Sequence, residues 1–247
     1  RAPGDGAPPM EVLRVHGQKP AASRFEQAAL AGLTPIVGRE AETALLATLW
    51  SKAAAGRGQF VLVAGEAGIG KSRLVETLKD DIVDPSATRL TGQCWPYFSH
   101  AAFHPLIEVA QRSINISAED PGPEKLRRLE ALLRAVDLPL AEHVPLLANL
   151  LSIPAGAEYP AQNLSPDLFR LKLLESLSSV LLKSAEARPM LLVIEDVHWG
   201  DASTQDLLGA LLDRMAHARL LVVLTFRPEY QRAWPTRAHL HRVDVRR

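Results

Sequence analysis

Apolar residues follow two alternating rhythms along this chain. Uninterrupted runs of strand length occur at 60–64 (Phe-Val-Leu-Val-Ala), 189–194 (Pro-Met-Leu-Leu-Val-Ile) and 220–225 (Leu-Leu-Val-Val-Leu-Thr). Such runs predict strands buried on both faces, as in a parallel sheet. Weaker strand patterns lie at 88–94 and, alternating in character, at 240–245. Elsewhere apolar residues recur three and four apart, which predicts helices. One spans 40–55, with Leu45, Leu46, Leu49, Trp50 and Ala53 in register and Gly56 ending it. A second opens at Ser72, with Leu74, Val75, Leu78 and Ile82 on one face. Further helices are expected at 105–116, 124–136, 139–151, 166–187 and 201–215. Pro189 closes the fourth of these five helices, and Asp201 either caps the last helix or faces the site described below. Strands alternating with helices predict an α/β fold: a parallel sheet with helices on both faces, and a helical insertion between the second and third strands.

The segment joining the first strong strand to its helix carries the chemistry. Residues 65–72 read Gly-Glu-Ala-Gly-Ile-Gly-Lys-Ser, a complete G-x-x-x-x-G-K-[ST] loop between a strand and a helix. Gly65 and Gly70 free the backbone so that successive N–H groups turn inward around a phosphate. Glu66, Ala67, Gly68 and Ile69 fill the loop, and the helix N-terminus adds partial positive charge. Lys71 is expected to reach the β- and γ-phosphates, and the Ser72 hydroxyl to be a ligand for Mg²⁺. A triphosphate-bound Mg²⁺ also needs carboxylates at the end of a strand, expected to lie beside the loop strand. Glu195 and Asp196 supply two acids where such a run ends. By position Glu195 matches the metal acid and Asp196 the group that orients the attacking water, and the two roles are exchangeable. Arg227, just past the run at 220–225, stands where a group near the γ-phosphate is expected to sense it.

Composition narrows the picture without changing it. Lys plus Arg and Asp plus Glu both number 28 in 247 residues, so no overall basic field for nucleic acid exists. The single Cys94 forbids an intrachain disulfide and suits a reducing compartment. No run of 18 apolar residues and no signal peptide is present, which predicts a soluble, cytoplasmic protein without a membrane contact. His100, His104 and Cys94 are close in sequence, but no second cysteine or carboxylate completes a metal site, and Pro105 separates the histidines from one shared helix. Trp199 either packs under the acids or caps the core. Residues 1–34 hold Pro3, Pro8, Pro9 and Pro20, with a strand pattern at 11–15 and a short helical one at 24–30. They read as a linker or the tail of an upstream domain. Residues 35–247 read as the ATPase domain, cut short at its C-terminus, and the first residue, Arg1, suggests a piece of a longer protein.

Together these parts resemble a signal-transduction ATPase of the AAA-related STAND class, in the group with an Orc1-like ATPase domain. The resemblance rests on five segments in order: Val37-Gly38-Arg39-Glu40, the loop Gly65 to Ser72 with Arg73-Leu74, Gly92-Gln93-Cys94-Trp95 with Phe103-His104-Pro105, Glu195-Asp196-Val197-His198-Trp199-Gly200-Asp201, and Thr225-Phe226-Arg227-Pro228-Glu229. It implies that Val37, Gly38 and Arg39 lie near adenine and ribose, and that Arg73 belongs to the nucleotide-binding set. It also implies a switch driven by ATP and ADP, with possible nucleotide-dependent self-association. Many relatives carry Asp-Asp where this chain has Glu195-Asp196. Residues 11–40 resemble the junction in bacterial proteins where a class III nucleotide cyclase precedes such an ATPase and helical repeats follow. The functions carried forward are a slowly hydrolysing regulatory ATPase, a nucleotide-binding scaffold, a phosphotransferase, or the ATPase module of a transcriptional regulator whose DNA reader lies past residue 247.

Overall fold

A computed structural model describes residues 37–160, 162–232 and 234–246. The patterns at 11–15 and 24–30, and the whole of the expected linker at 1–34, lie outside the described residues. In chain order the elements are α1 (Glu40–Ala54), β1 (Gln59–Ala64), α2 (Lys71–Thr77), β2 (Thr88–Gln93), α3 (His104–Ser113), α4 (Gly122–Ala135), α5 (Leu140–Leu150), α6 (Pro166–Ala187), β3 (Met190–Glu195), α7 (Ala202–Arg214), β4 (Leu220–Phe226) and β5 (Leu240–Asp244).

The five strands form one parallel sheet in the order β2-β3-β4-β1-β5. Every residue of β1, β3 and β4 is buried. These are the three apolar runs, and they occupy the centre because only there are both faces covered. The more polar β2 and β5 form the edges. One expectation is corrected here. The acid-bearing strand β3 is not beside the loop strand β1; β4 lies between them. The three central runs are equally apolar, so side-chain pattern alone does not rank them across the sheet.

Alternation along the strands splits the core in two. Val61, Val63, Val193 and Val223 face α1 and α2, meeting Leu46, Leu49, Trp50, Leu74 and Val75. Phe60, Leu62, Leu192, Ile194 and Leu224 face the other side, covered by α3 to α7 with Leu106, Leu129, Leu147, Leu177 and Leu208. The insertion between β2 and β3 therefore thickens one face only. Helix ends follow local chemistry. Gly56 takes φ of 78° after α1, Ser165 Oγ accepts from Leu168 N before α6, and Asp201 Oδ1 accepts from Ser203 and Thr204 N before α7. Asp201 is thus the cap of that helix. Helix α2 is shorter than its periodicity suggests, because it widens into a π turn over Leu78–Ile82. That turn buries Lys79 against Glu76, with Nζ 2.6 Å from Oε1. Among the described residues no helix is long and apolar enough to cross a membrane.

Phe60 anchors the loop-bearing strand. Its ring is fully buried and lies 5.4 Å from that of Trp234. Phe60→Ala leaves a large void in the thicker core and is expected to lower unfolding free energy by about 3–5 kcal/mol, read from urea denaturation.

Candidate functional site

Parallel register brings three chemically distinct tips to one edge of the sheet. Ala64 pairs with Phe226, and Ile194 with Leu224, so the C-terminal ends of β1, β4 and β3 are nearly level. Gly65 N donates to Phe226 O at 3.2 Å, tying the start of the loop to the end of β4. A Cβ on Gly65 would lie 2.9 Å from the Ile69 side chain and 3.0 Å from Val245 O, so only glycine fits that close approach. Gly70 has φ of 106° and turns the chain directly into α2. The first N–H groups of that helix have no acceptor within the helix and point out of its end.

Lys71 is 8% exposed, and its Nζ donates to Gly65 O at 2.7 Å and Glu66 O at 2.9 Å. Burial lowers the affinity of this amine for its proton, and the charges of Asp196 and Glu195 oppose that while Arg227 adds to it. Ser72 Oγ donates to Glu195 Oε2 at 2.6 Å, spanning the width of β4. Glu195 is 3% exposed, and its other oxygen is buried without a hydrogen-bond partner. Burial pushes the Glu195 carboxyl above the usual range, and the Ser72 hydrogen bond draws it back. A buried carboxylate oxygen beside a hydroxyl is the donor pair that a hard divalent cation takes. No group of three His, Cys, Asp or Glu is gathered among the described residues, so the rest of such a cation's oxygen shell would come from phosphate and water. The residues present fit Mg²⁺ held with a nucleotide.

Asp196 follows β3 with φ of 53°, a left-handed turn that a short polar side chain tolerates. Its N–H donates to Thr225 Oγ1 at 3.0 Å, and Gln93 Nε2 donates to its Oδ2 at 2.9 Å. The carboxylate, 40% exposed, lines a cleft of about 270 Å³ with Lys71, Ser72, Arg73 and Arg227. Ala67, Gly68 and Gly70 complete its wall. A second cleft, about 540 Å³, lies on the outer side of the loop beside Gly65, Glu66, Ile69, Pro228 and Val245. Arg39 reaches that side, with a guanidinium nitrogen 3.4 Å from Ile69 O and another 3.0 Å from Glu42 Oε1. Val37 is exposed, as is Gly38.

The tertiary structure thus brings Lys71, Ser72, Arg73, Asp196 and Arg227 around one cleft, with Glu195 behind Ser72. It sets Val37, Gly38, Arg39 and Glu66 apart from that cleft, on the loop's outer flank or in solvent. Two further participants were not singled out from sequence. Thr225 was noticed only as part of a strand-end motif, and its hydroxyl fixes the Asp196 backbone. Gln93 is a buried amide at the end of an edge strand, signalled in the sequence only as part of the Gly92-Gln93-Cys94-Trp95 segment. Cys94 is buried, its thiol pushed up to about 12 by burial, and is chemically inert.

A family model described as an AAA ATPase domain matches residues 35–223, which include the loop, both acids and most of β4. The chain belongs to the AAA ATPase domain family. This AAA domain is therefore a nucleotide-binding ATPase module, of a family that typically uses Mg²⁺. It is 31% identical over 245 residues to an uncharacterized protein of Rhizobium meliloti (strain 1021), covering 96% of this chain and 23% of that protein. The chain thus spans about a quarter of that relative's length. Among solved structures it is similar to Cdc6p from Pyrobaculum aerophilum, at 18% identity and a TM-score of 0.40, over 78% of this chain and 40% of the other. It is also similar to a chain of Drosophila ORC bound to DNA, at 15% identity and a TM-score of 0.45, over 89% and 46%.

Proposed function

We propose that this AAA domain binds ATP with Mg²⁺ and hydrolyses it slowly, acting as a regulatory switch inside a larger cytoplasmic bacterial signalling protein. The single observation that carries this reading is the 2.6 Å hydrogen bond from Ser72 to Glu195, with the acid's second oxygen buried and unpartnered. It joins the phosphate loop to an acid from a strand two places away in the sheet, a pairing that a purely structural glycine turn has no need of.

Each side chain then has a task that its position supports. Main-chain amides of residues 65–72 cradle the phosphates, and Arg73 flanks them at the cleft wall. Lys71 swings its ammonium from the loop carbonyls toward the β- and γ-phosphates. Ser72 and Glu195 would hold Mg²⁺, with Asp196 close by. When bound, Mg²⁺ neutralises charge on the phosphate oxygens. Asp196, exposed to the cleft and oriented by Gln93 and Thr225, accepts the proton of the attacking water. Arg227 faces the terminal phosphate across the same cleft and registers its loss. Val37, Gly38 and Arg39 contact the base and ribose from the loop's outer flank. A switch requires that ATP and ADP favour different arrangements, since equal affinity for both shifts nothing.

The signalling context is part of the same proposal. In the Rhizobium relative the matched segment is about a quarter of a longer chain. For this protein the corresponding arrangement is an upstream cyclase-like domain joined through residues 1–34, with helical repeats downstream and nucleotide-dependent self-association. The balanced composition does not favour direct contact with nucleic acid.

The test is phosphate release at saturating Mg-ATP by the wild-type chain. A slow but Mg²⁺-dependent turnover, abolished by EDTA, is the expected result. Tight ATP binding with no release above background would instead make the domain a nucleotide-binding scaffold.

A further inference from the structure

The aromatic-rich turn after the acids contains a buried polar group that the proposed mechanism leaves idle. His198 lies in the one-turn 3₁₀ helix Val197–Trp199, directly after Asp196. Its side chain is 10% exposed, and neither ring nitrogen has a hydrogen-bond partner among the described residues. The Trp199 ring leans over it, centroids 5.1 Å apart and planes at 45°. Its Nδ1 stands 4.0 Å from Asp196 Oδ1, while Gln93 already holds Asp196 Oδ2.

A space filler at this position would be Phe or Leu, since burying an imidazole with both nitrogens unbonded is unfavourable without any gain in packing. The two orphan nitrogens therefore mark a demand for a partner, and the nearest acceptor is the carboxylate that orients water. We propose that His198 is a positioning residue for hydrolysis: its Nδ1–H engages Asp196 Oδ1 when the cleft is occupied, clamping the carboxylate that Gln93 holds by Oδ2. Closing the gap from 4.0 Å to a hydrogen bond of about 2.9 Å takes a relative shift of only about 1 Å between the two side chains. With both oxygens held, the carboxylate plane is fixed, and the remaining lone pairs keep one orientation toward the cleft. This inference rests on the ATPase reading given above.

Two measurements on the full 247-residue chain test it: equilibrium binding of labelled ATP, and single-turnover phosphate release with protein in excess. His198→Phe is expected to slow release by about 10–100-fold while ATP affinity changes by less than about threefold, as for other groups that orient a first-line carboxylate. His198→Asn places an amide N–H where Nδ1 stood and restores most of the rate, whereas His198→Gln, which reaches the Nε2 position, does not. Should His198→Phe fail to fold, the Asn and Gln variants carry the same comparison. Wild-type release by His198→Phe overturns the proposal, as do equal rates for the Asn and Gln variants or a slowing matched by lost ATP affinity. A wild-type chain that binds ATP without releasing phosphate defeats the hydrolytic reading itself, a result distinct from any of these.

Discussion

Lys71→Ala is expected to abolish ATP binding. The ammonium is the one loop group that combines full charge with burial, and it sits on the carbonyls of Gly65 and Glu66 at the mouth of the cleft. Truncation removes that charge from a low-dielectric position where its attraction to phosphate is strongest. A loss of at least about 100-fold in affinity, about 2.7 kcal/mol, should be read in equilibrium binding of labelled ATP. Circular dichroism and the urea midpoint should stay near wild type, because the amine's hydrogen bonds run to two loop carbonyls, Gly65 O and Glu66 O. Undiminished binding by this variant would remove the phosphate site from consideration.

The acid pair gives the second large effect, and it also assigns the two roles. Asp196→Asn preserves shape and an acceptor for Gln93 but cannot take a proton. Phosphate release is expected to fall about 10²–10⁴-fold with ATP affinity nearly unchanged. Glu195→Gln keeps an oxygen for the Ser72 hydroxyl yet removes the charge that a divalent cation needs. Its expected signature is a raised Mg²⁺ requirement in the same assay. If the two signatures appear on the opposite residues, the roles are exchanged. If neither substitution alters turnover, hydrolysis does not occur at this cleft.

Much of this site was legible before any coordinates. The 65–72 segment needs only its own glycines, lysine and serine to declare a phosphate loop, since those constraints act over eight consecutive residues. Glu195, Asp196 and Arg227 were found because each ends an apolar run, and residues at the carboxyl ends of parallel strands converge. Helix α6 kept the limits its leucine periodicity gave, Pro166–Ala187. Other features were hidden. The Thr225 hydroxyl and the Gln93 amide act through hydrogen bonds to Asp196 from strands whose order no local pattern reveals. The π turn at Leu78–Ile82 was invisible because a widened turn barely disturbs the spacing of Leu74, Val75 and Leu78. The unpartnered nitrogens of His198 exist only once Trp199 and the sheet close around them.

The chain's own order of residues determined the alternation of strand and helix, the sheet's parallel character, the phosphate-loop motif and the pair of acids that ends the third strand. Each of these depends on spacing within a few turns or one strand, where covalent proximity does the selecting. The three-dimensional packing alone decided that β4 stands between β1 and β3, that Ser72 reaches Glu195 across it, and that one carboxylate oxygen stays buried and unpaired. Those outcomes hinge on contacts between segments more than a hundred residues apart, such as Ser72 and Glu195. Side-chain burial over the whole sheet, rather than any local preference, settles which of several equally apolar strands lie together.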